Sequence, residues 1–425
     1  MDAGKKFKVM IQTTFHTFNN GLRVVHMHVP GALVGHFGVA IGAGSANETP
    51  DCFGLAHFVE HTIFKGTQRR SSWHIINRME SVGGELNAFT TKEDTVVYSA
   101  FPKGSLMRAV ELICDLVLNS RFPTTEIDKE RDVICDEINS YLDSPSDAVY
   151  DDFEDMTYAG TSLGHNILGT IESVRQIDST LCRSWLDHFY VAPNMVAFYA
   201  GSVAADTFVK RVSNLLESFN PIAGNKEPLF LAPQDQELMQ CAQIEPFKIS
   251  RPTETHQAHT VVGKALHALH GRDRLIYALL TNILGGPGMN SLLNIALRER
   301  RGLVYNVESA LTNWRNTSLF TTYFGTDPCD NEKCLRLVEK EVQRVADGYM
   351  SERRLAAAKK QYRGQLLLSR ENVENRVIGV ARALLLRGKV YTMSETDALL
   401  AAITPSDISA AASSLLPLSA LTLQP

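Results

Sequence analysis

The amino-acid sequence predicts an α+β fold built from two α/β-type domains of about 200 residues each. Three observations carry that expectation. The chain has 425 residues, more than a single hydrophobic core usually serves. Strand-like alternation and helical periodicity are interspersed in both halves rather than segregated. Near the middle, residues 218–236 are rich in Pro, Asn and Gly with little period, which is the composition of a linker. The expected domains are therefore 1–217 and 237–425, with 218–236 between them.

Residues 21–29 alternate as a strand, and residues 36–44 as another. Turn formers fill 44–54, and residues 55–64 become helical. A further helix, 71–82, ends at Gly83-Gly84. Residues 86–98 read as one strand, with β-branched Thr90, Thr91, Thr95, Val96 and Val97. Helices over 103–119 and 125–142 follow, and residues 196–200 close the half as a strand. Beyond the linker the order partly recurs. Residues 259–262 are strand-like, 274–284 helical, Gly285-Gly286-Pro287-Gly288 a turn and 290–300 helical. Then come a strand at 319–323, a helix at 331–347 and a long amphipathic helix at 351–368. An internal duplication is consistent with this recurrence.

Composition narrows the function. With 44% hydrophobic and 21% charged residues, the chain is an ordinary globular one, not collagen-like, coiled-coil or disordered. A net charge of −5 offers no field for nucleic acid or an anionic membrane. No apolar run reaches the roughly 18 residues of a transmembrane helix. The first fifteen residues lack the apolar block of a secretory signal, so a cytoplasmic protein is expected. Seven cysteines without a CxxC pair read as reduced thiols. Gly285-Gly286-Pro287-Gly288 has no Lys-Ser/Thr after it and is no phosphate loop.

The strongest motif is His57-Phe58-Val59-Glu60-His61 within the 55–64 helix. Histidines at i and i+4 share a helix face, about 6 Å apart along the axis, which suits two imidazoles on one zinc ion. Glu60 lies beside them, within reach of a metal-bound water. This is the inverted order H-x-x-E-H. A catalytic zinc takes three protein ligands and keeps one open position. The 125–142 helix offers Glu126, Glu130, Asp132, Asp136 and Glu137, of which Glu130 and Glu137 share a face.

His57 to His61, with Phe64-Lys65-Gly66-Thr67 after it, resembles the pitrilysin/insulinase family of zinc metallopeptidases. So do Gly83-Gly84-Glu85-Leu86-Asn87-Ala88-Phe89-Thr90, the segment from Glu130 to Ile138, and Asp143-Ser144-Pro145. Leu163 to Thr170 and Leu297 to Tyr305 are similar to further family segments. The size resembles the subfamily of mitochondrial processing peptidase. The resemblance implies two structurally similar domains, each a mainly antiparallel sheet packed with helices. It implies one Zn2+ per chain, held by His57, His61 and Glu137, with Glu60 as general base. Glu130 would support the ligand set. Arg298 and Tyr305 would hold substrate and stabilise the oxyanion. Asn87, Ala88 and Phe89 would lie on an edge strand that pairs with substrate backbone. The implied activity is hydrolysis of peptides or unfolded polypeptide through a zinc-bound water. The alternative is a non-catalytic scaffold or partner subunit of the same fold. A homodimer is expected, or pairing with a related chain, with Arg298 and Tyr305 of one chain facing the zinc of the other. The second half has no His-x-x-Glu-His, so no second metal site is expected.

Overall fold

A computed structural model describes residues 11–220 and 245–425; the greater part of the expected linker lies outside the described residues. In chain order the strands are β1 (Gln12–Thr17), β2 (Arg23–His28), β3 (Val34–Ile41), β4 (Glu85–Thr90), β5 (Thr95–Pro102) and β6 (Met195–Gly201). They continue as β7 (Lys248–Pro252), β8 (Ala258–His267), β9 (Val304–Asn313), β10 (Thr317–Thr326) and β11 (Ser419–Gln424). One sheet has the order β1-β2-β6-β3-β5-β4 and the other β7-β11-β8-β10-β9. In each sheet one neighbouring pair is parallel, β2 with β6 and β7 with β11, and the rest are antiparallel. With β1 set aside, matching β2–β6 to β7–β11 in chain order makes the two strand orders identical. What recurs is the topology, with far less recurrence in the residues.

The first four α-helices in chain order are α1 (Leu55–Thr62), α2 (Ser72–Glu80), α3 (Leu106–Asn119) and α4 (Thr124–Leu142). In the first unit α1 and α3 cover one face of the sheet, where Leu55, Phe58, Val59, Leu112 and Leu116 pack against Phe37, Val39, Val97 and Ala197. The opposite face, with Val25, Met27, Val96 and Phe198, would meet water without a second cover. It receives one from the helix Val373–Arg387, through Val377, Ile378, Ala381 and Leu385.

The units therefore do not follow chain order. The first holds described residues up to 138, 167–220 and 370–390, and the second holds 139–166, 245–369 and 391–425. The split expected at 218–236 runs along the chain; the packing instead reassigns two helices. Val373–Arg387 belongs to the first sheet and Pro145–Thr157 to the second. In the second unit Phe153 is fully buried, its ring 5.6 Å from Phe247. It lies over Gly263 of β8, where a Cβ would come within 2.9 Å of the ring and 2.4 Å of the Phe320 carbonyl. Only glycine lets that ring sit on the strand.

Two element readings change. Residues 86–98 form a hairpin, β4 and β5, not one strand. The Thr91 hydroxyl bonds the Asp94 carboxylate at 2.5 Å, and the Thr91 amide bonds the Asp94 carbonyl at 2.8 Å, closing a turn without Gly or Pro. Residues 294–299 form a π-helical turn rather than α-helix, with the Arg300 amide reaching back five residues to Ile295. β1, β7, β9 and β11 went unread in the sequence. No single helix among the described residues is long and apolar enough to cross a membrane.

Candidate metal centre

Helix α1 is placed from its first residue. Gly54, its cap, has φ 91, and a Cβ there would lie 2.5 Å from the Leu168 carbonyl, so glycine is required. The free amides of the first turn are met by buried Glu48, whose two oxygens accept from Gly54 at 2.8 Å and Ala56 at 2.7 Å. Leu55, Phe58, Val59 and Thr62 then face the core, which leaves His57, Glu60 and His61 toward α4.

Helix α4 buries a stripe of Ile127, Glu130, Ile134 and Ile138. A carboxylate among isoleucines needs partners, and Glu130 has two. One oxygen lies 3.1 Å from His61 Nδ1 and the other 2.5 Å from Lys65 Nζ. Two turns further on, Glu137 presents an oxygen 3.8 Å from His57 Nε2 and 3.6 Å from His61 Nε2. The three ligand atoms lie within 4.8 Å of one another, and no other such cluster occurs among the described residues. In a tetrahedral zinc site with bonds of about 2.1 Å, ligand atoms stand about 3.4 Å apart. Two imidazoles and one carboxylate at this spacing fit that ion and leave one position open.

Burial, then the neighbouring His61, pushes the His57 imidazole down to about 3, so it is neutral near pH 7, as a ligand must be. Glu60 is raised above the ordinary carboxyl range, chiefly by burial. Hydrogen bonds from the Thr90 side chain and backbone and the nearby His61 offset that rise, while Glu137 adds to it. Fully buried Tyr190 stands near this carboxylate; burial first, then the charge of Glu60, raises its phenol.

His57, Glu60, His61, Glu130 and Glu137 are thus brought together. Strand β4 is a sheet edge, paired only with β5 among the described residues. Asn87 is exposed there, and Ala88 packs toward the core that holds α1. The side chain of Phe89 turns to the other face, 6.2 Å from the Tyr98 ring and beneath the Arg382 guanidinium. Strand alternation puts Asn87 on that same face. Arg298 and Tyr305 lie in the second unit. Arg298 is exposed in the π-helical turn, and Tyr305 is exposed (71%) on edge strand β9. Sequence reasoning missed Glu48, Lys65 and Thr90 as parts of the site. Lys65 and Thr90 stand inside quoted motifs, but spacing alone gives neither a role.

Residues 23–171 match the profile of the insulinase family, peptidase family M16. Residues 177–362 match a second profile, described as the peptidase M16 inactive domain. An uncharacterized zinc protease of Bacillus subtilis is 32% identical over 386 residues, covering 89% of this chain and 90% of the relative. This chain belongs to the M16 insulinase family. The beta subunit of mitochondrial-processing peptidase from Saccharomyces cerevisiae is 28% identical over 402 residues, covering 92% of this chain and 85% of that one. A crystal structure of a protease from Helicobacter pylori shares the fold with a TM-score of 0.88 at 19% identity, over 98% of this chain and all of that one. The M16 fold of two α+β domains is therefore shared along nearly the whole length. The names of its relatives make this M16 chain a zinc-protease homologue. Its donor cluster lies within the first matched segment, and the segment described as inactive contains none of the donors.

Proposed function

We propose that this M16 chain is a zinc-dependent metalloendopeptidase acting on peptides or unfolded polypeptide segments. The observation that carries the reading is the convergence of two imidazole nitrogens and a Glu137 oxygen beside the raised Glu60 carboxyl. His57, His61 and Glu137 would hold one ion per chain. When bound, zinc supplies a Lewis acid that activates water and polarises a carbonyl. Glu60 accepts the proton of the attacking water at its carboxylate and returns it to the leaving amine. Thr90 orients that carboxylate from strand β4. The Thr90 amide faces Glu60, and strand alternation turns the main-chain groups of Ala88 and Leu86 the same way. An extended peptide would then add to this edge beside the base. Asn87 and Phe89 turn their main-chain groups to β5 and would contribute side chains beside that edge. Arg298 has no side-chain partner among the described residues, so it and Tyr305 are proposed to meet substrate oxygens.

Zinc analysis of purified protein, with hydrolysis of a quenched unstructured peptide in parallel, tests the reading. Wild type and Glu60→Gln should both carry zinc, and only wild type should cleave. Zinc without cleavage in wild type would move the chain to another substrate or a partner-dependent role. Pairing of two copies is part of the same proposal, and a monomer with full activity would remove it.

A further inference from the structure

We propose that Lys65 is a positioning residue of the metal centre, fixing the Glu130 carboxylate so that His61 presents Nε2 to the ion. The inference rests on the reading of His57, His61 and Glu137 as zinc ligands. A carboxylate turns freely about its last bond and has two equivalent oxygens. Here Lys65 Nζ holds Oε1 at 2.5 Å, which leaves Oε2 for His61 Nδ1 at 3.1 Å. With Oε2 accepting, Nδ1 carries the hydrogen and Nε2 keeps its lone pair. Nε2 is the atom that stands 3.6 Å from Glu137.

Lys65 is itself held by the turn that leaves α1. Its amide donates to the Thr62 carbonyl at 3.0 Å, and the Gly66 carbonyl accepts from Arg121 at 3.0 Å. The Thr67 hydroxyl donates to buried Asp115 at 2.8 Å, and Arg70 pairs with the same carboxylate. The Phe64-Lys65-Gly66-Thr67 segment is therefore anchored at both ends of the lysine. Because Lys65 follows α1 and Glu130 sits on α4, the pair also ties together the helices that carry His61 and Glu137.

An ion pair that only stabilised the fold would alter melting and leave metal affinity alone. Zinc dissociation constants, measured on the full chain by competition with a chromophoric chelator, separate the two roles. Wild type, Lys65→Met, Lys65→Arg and Glu130→Gln would be compared, with melting of the metal-free proteins recorded alongside. Lys65→Met should weaken zinc about 10- to 100-fold, as loss of a partner behind a ligand does. Lys65→Arg should recover most of that loss because it keeps charge and donors. Lys65→Gln replaces the methionine variant if that one does not fold. A dissociation constant unchanged in Lys65→Met, whatever its melting temperature, would overturn the role of Lys65 alone. Wild type that binds no zinc would remove the ligand reading and this inference with it.

Discussion

The two sheets of this M16 chain have the same strand order once β1 is set aside, yet a single donor cluster occurs among the described residues. The contrast is sharpest in the helices between the second and third strands of each repeat. In the first, α1 leaves left-handed Gly54 under the Glu48 cap and carries His57, Glu60 and His61. In the second, the helix Gly271–Gly285 opens on Gly271 at φ 49 and has no histidine; its buried face is Ile276, Leu279, Leu280 and Leu284. The scaffold folds with or without the donors. Chemistry therefore depends on a few side chains, and the fold alone does not predict it.

The largest expected effect breaks that asymmetry. His61→Ala removes one of three donors, and zinc should fall from about one per chain to little or none. Peptide hydrolysis should drop on the order of 10³-fold or more with it. In the second unit, His267→Ala changes an exposed residue of β8 and should alter neither zinc nor rate. Zinc retained in His61→Ala, or lost in His267→Ala, would contradict the assignment of the metal to the first repeat.

The exchanged helices sharpen the comparison in stability. On the second sheet, Pro145–Thr157 is held by apolar contact, and Phe153→Ala should destabilise by about 3–5 kcal/mol in chemical denaturation. On the first, Val373–Arg387 adds a buried pair in which Arg382 forks onto Asp94 at 2.6 and 2.7 Å, with the carboxylate out of solvent. Arg382→Ala strands that charge and should destabilise by about 3 kcal/mol. Its counterpart on the second helix, Asp152 with Arg251, is exposed, and Arg251→Ala should change stability by less than about 1 kcal/mol. Equal losses for the two arginine variants would remove the distinction.

Much of the first helix was legible because its information is local. Histidines four apart share a face whatever the helix packs against. Glu137 is 76 residues from His61, and its place depends on tertiary packing, so spacing left five acidic candidates and only the family resemblance chose one. The buried stripe of α4 shows the same limit. Glu130 sits at a core-facing position, but the sequence does not reveal Lys65 as its partner. The hairpin at β4–β5 was hidden because its turn is closed by Thr91 and Asp94, without glycine or proline. The helix exchange was hidden for another reason: Pro145–Thr157 and Val373–Arg387 were not read as helices, and an amphipathic pattern would say only that a face is buried, not which sheet buries it.

The smallest effect is one of pH. His26 in β2 is buried, its Nε2 is 2.9 Å from the Val203 carbonyl, and its ring lies among Tyr199 and Phe208. Burial holds its pKa below the ordinary 6.5, partly offset by the bond to Val203, and the neighbouring His28 lowers it further. The unfolded chain therefore binds this proton more readily than the folded one. Stability from neutral His26 is fully present above about pH 6.5 and is lost as the pH falls toward the depressed folded value. The slope from one such group cannot exceed about 1.4 kcal/mol per pH unit. His26→Leu fills the site without a titrating group, so denaturation midpoints recorded from pH 7.5 to 5 should fall less steeply than in wild type. His259 in β8 is likewise lowered by burial and supplies the matching case in the second unit. Parallel curves for wild type and His26→Leu would mean that His26 does not contribute to the acid sensitivity of the first repeat.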